Sequence, residues 1–242
     1  MPKLRAREVR QLAWGDLAAK QYWPYVGAFF VLTLITGVAV CFAILAVLIP
    51  SVIMFAHEPV DNMSTAELIL HPKALIVMLL SCVAAVPICY SFGYTTWGQI
   101  KLALSAAKRE LKFEHCFSGW GHGWKMLWTL LVACTYAQFW FLLFIVPGII
   151  KAYAYMMTPF VQIEHPDWTA NQCITESRRL MDGNKWRFFC LCFSFIGWYL
   201  LLLAAVFVPI AGNFAQYFLM PYVSTATARF YLEVKREKGG CD

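Results

Sequence analysis

Two prolines interrupt apolar stretches in the second half of the chain, each four residues after a tyrosine. Pro159 follows Tyr155, and Pro221 follows Tyr217. A proline inside a helix offers no N–H to the carbonyl four residues earlier, so both tyrosine carbonyls are expected to lack their helical partner. Within a membrane, such a carbonyl needs a partner from protein, water or a ligand. One interpretation is a polar ligand site, and the other is a pair of proline kinks that let helices pack.

Polar side chains near these tyrosines extend the candidate site. Lys151 either reaches the membrane interface with its amine or places a cation at a helix start, facing an anionic substrate or a lipid headgroup. Its counterpart in the second half of the chain is Asn213, which is polar but uncharged. The residues predicted to bind a ligand are Lys151, Tyr155, Thr158, Pro159, Asn213, Gln216, Tyr217 and Pro221. Ser224 and Thr225 are predicted to line the same pocket.

Catalytic and metal-binding patterns are weak. The chain has no HExxH, GxSxG or phosphate-loop motif. His115, Cys116, His122 and Cys173 could together ligate a metal, but their spacing is not diagnostic. We therefore expect a protein that is not an enzyme and that has no catalytic residues, no metal and no cofactor.

A shift of 62 residues brings two halves of the chain into register without a gap. The matched positions carry glycines, prolines and aromatic residues of the kinds that end or anchor helices. They are Gly121 with Gly183, Trp124 with Trp186, Lys125 with Arg187, Pro147 with Pro209, Tyr155 with Tyr217, Pro159 with Pro221, and Val161 with Val223. Matched interruptions of apolar segments point to a site between the repeats of a membrane protein.

The composition is that of an integral membrane protein. Of the 242 residues, 60% are hydrophobic and only 14% are charged, whereas soluble domains carry roughly 25% charged residues. Aromatic residues make up 17% of the chain, and Trp and Tyr gather at membrane interfaces. The net charge of +6 is explained by basic residues on one side of the membrane, so nucleic acid is not an expected partner.

Six apolar stretches approach the roughly 20 residues that a membrane-spanning helix needs. They are 22–50, 74–100, 124–146, 149–164, 186–208 and 211–234. We expect the third to stop at Pro147-Gly148 and the fifth at Pro209. The predicted fold class is all-α, a polytopic membrane helix bundle of about six spans in repeated hairpins. The hairpins are parallel, because each unit contains an even number of spans.

Basic residues indicate the orientation in the membrane. They cluster before the first span, between spans two and three, between spans four and five, and after the sixth, whereas the loop at 56–73 is acidic. Because basic residues favour the inner side, both termini are predicted to be cytoplasmic. We expect a multi-pass protein of the bacterial inner membrane, with membrane lipids as partners.

The chain is predicted to be a single membrane domain. Its segments are a basic surface segment (1–20), a first hairpin (21–108), a second hairpin (109–164) and an amphipathic helix followed by a third hairpin (165–236). Within the surface segment, residues 4–17 place Arg10 opposite an apolar face. In the second amphipathic helix, at 167–182, Asp167 is placed to cap the start and Gly183 to end it. Ile174, Ser177 and Met181 share one face of that helix.

Several motifs between residues 110 and 235 resemble an uncharacterised family of bacterial multi-span membrane proteins. The motifs are Pro-Gly-Ile-Ile-Lys, Gly-Asn-Lys-Trp, Ser-Phe-Ile-Gly-Trp and a late Pro-Tyr. Their family positions here are Pro147, Gly148, Lys151, Pro159, Gly183, Asn184, Lys185, Trp186, Gly197, Trp198, Pro221 and Tyr222. The family is also distantly similar to the membrane domains of some glycerophosphodiester phosphodiesterases. By analogy the resemblance implies lipid or envelope biology, and it implies no reaction.

Two functional hypotheses follow from the sequence. The first is a non-enzymatic protein that binds or passes a lipid-like or small polar molecule at the interface of its repeats. The alternative is a structural or assembly protein of the envelope, working through protein and lipid contacts, in which the chain forms a homo-oligomer.

Overall fold

The computed structural model describes residues 5–18, 21–55, 72–205 and 209–239, and most of these residues are helical. Most of the predicted outer loop, 56–71, lies outside the described residues. The helices are α1 (Ala6–Ala18), α2 (Tyr22–Phe55), α3 (Pro72–Ala107), α4 (Gly123–Leu143), α5 (Ile145–Tyr155), α6 (Thr158–Glu164), α7 (Ala170–Met181), α8 (Lys185–Phe193), α9 (Ile196–Ala205) and α10 (Pro209–Glu237). A short 3₁₀ turn, Phe113–Cys116, lies between α3 and α4.

Four helical stretches in the described part of the chain are long and apolar enough to cross a membrane. They are Tyr22–Ile53, Pro72–Ala107, Gly123–Leu143 and, across α8 and α9, Lys185–Ala204. Their apolar side chains are widely exposed, as with Phe42 at 70% and Leu142 at 84%. A surface of this kind suits contact with lipid chains, which agrees with the prediction of a helical membrane protein. Four of the six predicted spans correspond to these stretches.

The predicted fourth span, 149–164, is not one helix. Helix α5 ends at Tyr155, residues 156–157 form a turn, and α6 begins at Thr158. Pro159 is the second residue of α6, where a backbone N–H has no helical acceptor and a proline is tolerated. The prediction that Pro159 kinks a continuous helix is therefore wrong, because the chain ends one helix and starts another.

The turn between α4 and α5 lies before the predicted helix stop at Pro147-Gly148. The break is at Phe144, whose backbone is extended, and Pro147 sits in the first turn of α5. A Cβ at Gly148 would lie 2.7 Å from Cγ of Phe141. The glycine therefore lets the two antiparallel helices approach closely at this tight turn.

The third hairpin breaks at a different place from the second. Its first half is interrupted at Ser194 and Phe195, between α8 and α9, whereas Pro221 lies inside the unbroken helix α10. The matched glycines nevertheless share one backbone conformation, with φ of +89° at Gly121 and +75° at Gly183. Each comes two residues before a helix start, where a positive φ favours glycine over other residues.

Helix α1 packs against the helix bundle. Val9 and Ala13 are buried at 1% and 0% exposure in the main apolar cluster, which also contains Phe188 and Phe230 of α8 and α10. The amphipathic helix predicted at 4–17 is thus present at nearly the same bounds. Protein covers Val9 and Ala13 of its apolar face, whereas Leu12 is 37% exposed.

Helix α7 also buries one face, and that face includes Ile174, Ser177 and Met181 as predicted. Its start is capped differently from the prediction. Thr169 and Gln172 form a capping box, in which the Thr169 backbone N–H donates to Gln172 Oε1 at 2.8 Å. Asp167 lies two residues earlier and is exposed, so the prediction that it caps the helix is wrong.

Candidate functional site

A cavity of about 810 Å³ lies between the N-terminal helix and the last hairpin. Helix α1 contributes Arg10 and Trp14, and the start of α2 contributes Tyr22. Arg10 and Trp14 are four residues apart, so they lie on one face of α1. Helix α1, which packs against α8 and α10, therefore forms one wall of the cavity.

The remaining walls come from α9 and α10. Tyr222 lies at the same end as the α1 residues, since Trp14 packs edge-on against it with ring centroids 5.6 Å apart. Trp198 is near this end too, because its backbone N–H donates to the carbonyl of Phe195, whose ring lies beside Arg10. The other wall residues are apolar: Leu201, Leu202, Ala204, Ala215, Phe218 and Leu219. Among the described residues of the lining, Arg10 carries the only formal charge.

Arg10 is held by the break between α8 and α9. Its Nη1 donates a hydrogen bond to the Ser194 carbonyl oxygen at 3.0 Å. Ser194 is the C-terminal capping residue of α8, and the last carbonyls of a helix both lack helical donors and favour a cation. The guanidinium carbon also lies 6.0 Å from the centroid of the Phe195 ring. The helix break thus fixes the cation at one end of the cavity.

Two tyrosines link the helices of the cavity walls through hydrogen bonds of their hydroxyl groups. The Tyr22 hydroxyl donates to the Phe218 carbonyl at 3.0 Å, and the Tyr222 hydroxyl donates to the Arg10 carbonyl at 3.4 Å. Trp14 lies between the two tyrosines, 6.2 Å from the Tyr22 ring. Tyr and Trp combine an apolar body with a polar tip, which suits the level of lipid headgroups.

Asp16 anchors α1 from inside the protein. Its side chain is fully buried, and Oδ1 accepts hydrogen bonds from Arg109 Nε at 2.7 Å and Arg229 Nη2 at 3.0 Å. Arg229 Nε lies 2.8 Å from Oδ2. A buried carboxylate requires such partners, because burial without them is very costly. Asp16 therefore ties α1 to α10 and to the end of α3, close to the cavity.

The predicted site residues of the second hairpin pack away from this cavity. Tyr155 is 8% exposed and belongs to an apolar cluster with Ala133 and Ile174. Thr158 is fully buried, and its hydroxyl has no hydrogen-bond partner among the described residues. Pro159 is partly buried on α6.

The predicted site residues of the third hairpin lie on α10. Tyr217 packs against α2, with ring centroids 6.1 Å from Phe29 and 5.3 Å from Phe30. Gln216 is exposed and Pro221 is buried, and the side chain of Asn213 lies outside the described part of the chain. The structure thus places Tyr155 and Tyr217 in different packing clusters, and neither lines the cavity.

Lys151 lies in the second turn of α5 and is partly buried. Its amine is 4.7 Å from the centroid of the Trp140 ring on α4. This is a cation–π contact across the α4–α5 turn. The sequence left two alternatives open for Lys151, an amine at the membrane interface or a ligand contact. The structure adds an aromatic partner for this amine.

Ser177 provides the partner for a carbonyl at the break between α5 and α6. Its buried hydroxyl donates to the Ala154 carbonyl oxygen at 2.8 Å. The carbonyl predicted to need a partner was that of Tyr155, one residue later. A side chain of α7 therefore supplies a hydrogen-bond donor to the Ala154 carbonyl at this break.

Loss of this hydroxyl is expected to destabilise the fold. Ser177→Ala should lower the free energy of unfolding by about 1–3 kcal/mol, because a buried carbonyl loses its donor. Thr175→Ala is the matched control on the same helix, since the Thr175 hydroxyl is exposed and donates to the carbonyl of Asn171, one turn earlier. Unfolding by dodecyl sulfate in mixed micelles measures the free energy of unfolding of both variants. Equal stability of the two variants would contradict the assigned role.

A buried polar network that the sequence did not reveal joins α4, α6 and α7. Gln162 is fully buried, and its Oε1 accepts from the Thr129 hydroxyl at 2.7 Å and from Cys173 Sγ at 3.3 Å. Burial raises the pKa of the Cys173 thiol to about 11. This keeps Cys173 protonated and donating at neutral pH.

Two of the four residues considered as metal ligands, His122 and Cys173, have other partners. His122 stacks on Trp97 with ring centroids 4.5 Å apart, and Cys173 is bound to Gln162. His115 lines a separate polar cavity of about 460 Å³, where burial, with Lys101 and Lys112 nearby, lowers its pKa. The side chain of Cys116 is outside the described part. Within the part that is described, no three His, Cys, Asp or Glu side chains form a metal-binding group.

The chain shows similarity to a known family over its second half. Residues 125–238 match the family described as Protein of unknown function (DUF975). This range runs from α4 to the end of α10, so it includes Trp198 and Tyr222 of the cavity and leaves α1 outside. No curated protein and no solved structure matches the chain.

None of the residues that were predicted to bind a ligand and that the structure describes lines the cavity. Trp198 and Tyr222 were among the positions that carry the family resemblance. Arg10 was placed on the polar face of a surface helix, and Trp14 was not singled out. The signal that could have found them is their spacing of four residues, which puts a cation and an indole side by side.

Proposed function

We propose that this chain is a non-enzymatic, six-span protein of the bacterial inner membrane that binds or passes a lipid-like molecule. Both termini are cytoplasmic in this proposal, as the distribution of basic residues favours. The observation that carries the proposal is the cavity between α1, α9 and α10. It lies between the first and third units of the predicted repeat.

The size and lining of the cavity support a lipid-like ligand. Its volume of about 810 Å³ falls within the range of roughly 300–1,000 Å³ that is usual for small-molecule sites. Leu201, Leu202 and Leu219 offer apolar contact, whereas Arg10 and the tyrosine hydroxyls lie at one end. An amphiphile with one polar end and an apolar body matches this division.

The cavity is also a better candidate than the region around the two matched prolines. A ligand needs space, and Tyr155 and Thr158 are packed at 8% and 0% exposure. The Ala154 carbonyl at that break already accepts a hydrogen bond from Ser177. We therefore propose that the ligand binds in the cavity between α1, α9 and α10, and not around Tyr155 and Tyr217.

Filling the cavity tests the proposal. Ala215→Trp and Ala204→Trp place an indole where a ligand would lie, so lipid that co-purifies with the protein should fall at least about tenfold, a loss of affinity of about 1.4 kcal/mol or more. Ala46→Trp, on the exposed surface of α2, is the matched control and should keep the lipid. Native mass spectrometry of protein purified in mild detergent counts the bound molecules.

The same experiment separates the proposal from the assembly alternative. Unchanged lipid retention in both cavity variants would refute the cavity as a binding site. A wild-type protein that carries no lipid but forms a stable oligomer would favour a structural protein of the envelope.

A further inference from the structure

We infer that the molecule bound in this cavity carries an anionic headgroup, phosphate or carboxylate, and that Arg10 recognises it. This inference rests on the proposed function, because it names the chemical class of the ligand of the same cavity. It goes further in assigning a specificity-determining residue on α1, outside the part of the chain that resembles the family.

The charge of the cavity is unbalanced. Arg10 has no acidic partner among the residues that the structure describes, and the remaining lining residues described there are uncharged. Asp16 lies six residues further along α1, but its carboxylate is already held by Arg109 and Arg229. An arginine beside an apolar cavity favours an anion, since the attraction is strengthened where water is excluded.

The geometry leaves N–H groups of the guanidinium for a further contact. Its Nη1 donates to the Ser194 carbonyl at 3.0 Å, and the Tyr222 hydroxyl is a second side-chain partner. A guanidinium has five N–H donors in a planar fork that fits a phosphate or carboxylate. Because Ser194 and the Phe195 ring hold the side chain in place, little rotamer entropy remains to be lost when an anion binds.

The position of the apolar walls gives the ligand a direction. Trp198 lies near the cationic end, and Ala204 lies six residues further along α9, about 9 Å at the rise of an α-helix. On α10 the order is reversed: Ala215 comes first in the chain, and Tyr222, at the cationic end, follows seven residues later. The two antiparallel helices thus form an apolar groove that leads away from Arg10, which suits an acyl chain attached to the anionic group.

Lipids that share acyl chains and differ in headgroup test this inference. The full chain in mild detergent is titrated with phosphatidylglycerol, with phosphatidylcholine and with the corresponding free fatty acid, and binding is followed by native mass spectrometry. We expect the wild-type protein to bind at least one of the two anionic amphiphiles about tenfold or more tightly than phosphatidylcholine. A preference for the phospholipid identifies a phosphate headgroup, and a preference for the fatty acid identifies a carboxylate.

Two substitutions assign the preference to one side chain. Arg10→Gln should abolish the preference for the anion and leave the affinity for phosphatidylcholine unchanged. Arg7→Gln removes the same charge from an exposed position on α1 that does not line the cavity, so it should keep the preference. Thermal unfolding of each variant in the same detergent shows whether the fold is retained.

The outcomes distinguish this inference from the proposed function. Equal binding of all three lipids to the wild-type protein, with loss of all three in Ala215→Trp, would overturn the anionic headgroup and leave the cavity as a lipid site. An anion preference that Arg7→Gln and Arg10→Gln reduce equally would overturn the role of Arg10. Failure of every lipid to bind the wild-type protein would overturn both.

Discussion

Asp16→Asn is expected to lower the free energy of unfolding by about 3–5 kcal/mol, which is the usual cost of breaking a buried ion pair. The substitution keeps the shape of the side chain and removes its charge. Arg229, only 16% exposed, would then face a neutral amide. Because Asp16 joins α1 to α10, loosening of α1 should also weaken lipid binding in the cavity. Unfolding by dodecyl sulfate in mixed micelles and the lipid titration measure the two effects.

The two arginines around Asp16 form a matched control, since they carry the same charge and differ in burial. Arg109 is 62% exposed, so Arg109→Gln should cost less than about 1 kcal/mol. Arg229→Gln should cost several times more, because it removes the buried partner of a fully buried carboxylate. A stability of Asp16→Asn within about 1 kcal/mol of the wild type would show that the carboxylate does not hold α1.

Gly93→Ala is expected to destabilise the contact between α3 and α4. A Cβ at Gly93 would overlap the Gly123 carbonyl oxygen and would lie 2.9 Å from the carbonyl carbon and 3.1 Å from Cβ of Leu127. Overpacking costs about 1–3 kcal/mol. The expected loss lies at the upper end of this range, because a backbone carbonyl cannot rotate away as a side chain can. The free energy of unfolding in mixed micelles measures the loss.

Gly27→Ala is the control for helix propensity. Gly27 is also inside a long apolar helix, α2, but a Cβ built there would have no atom within 4 Å beyond its own chain neighbours and helix backbone. Alanine should therefore stabilise this position by up to about 1 kcal/mol, the usual difference in helix propensity. If both variants were stabilised alike, the close approach of α3 and α4 at Gly93 would be disproved.

Helix positions were largely predictable from the order of residues along the chain. The first predicted span, 22–50, is contained in α2, and the amphipathic helix at 167–182 contains α7. Both rest on local signals, a long apolar run and a helical pattern of apolar residues. The helix ends were less accurate. Phe144 breaks the chain before Pro147, and Thr169 caps α7 in place of Asp167, because several residues near each end satisfy the same local rule.

The helix is interrupted near Pro159, but as a break between two helices and not as a kink. Residues 156–157 end α5, so Pro159 starts α6 and does not kink a continuous helix. Pro221, its counterpart, lies within α10. Two prolines in matched positions thus lie at different places in their helices, one at a start and one inside. The difference arises because packing against neighbouring helices determines whether a helix ends or continues. The Ser177 hydroxyl, which bonds the Ala154 carbonyl, comes from a helix that the local pattern does not connect to α5.

The sequence by itself determined a helical chain with several stretches apolar enough to cross a membrane, because length and hydrophobicity are local properties. It also determined that the 4–17 segment has one apolar face. Only the tertiary structure decided what covers that face. Packing of α1 against α8 and α10 buries Asp16 with two arginines and brings Arg10 to the end of an apolar cavity. Contacts between residues about 200 positions apart, such as Arg10 with Ser194 and Tyr222, depend on how helices pack, and no periodicity of the chain records them.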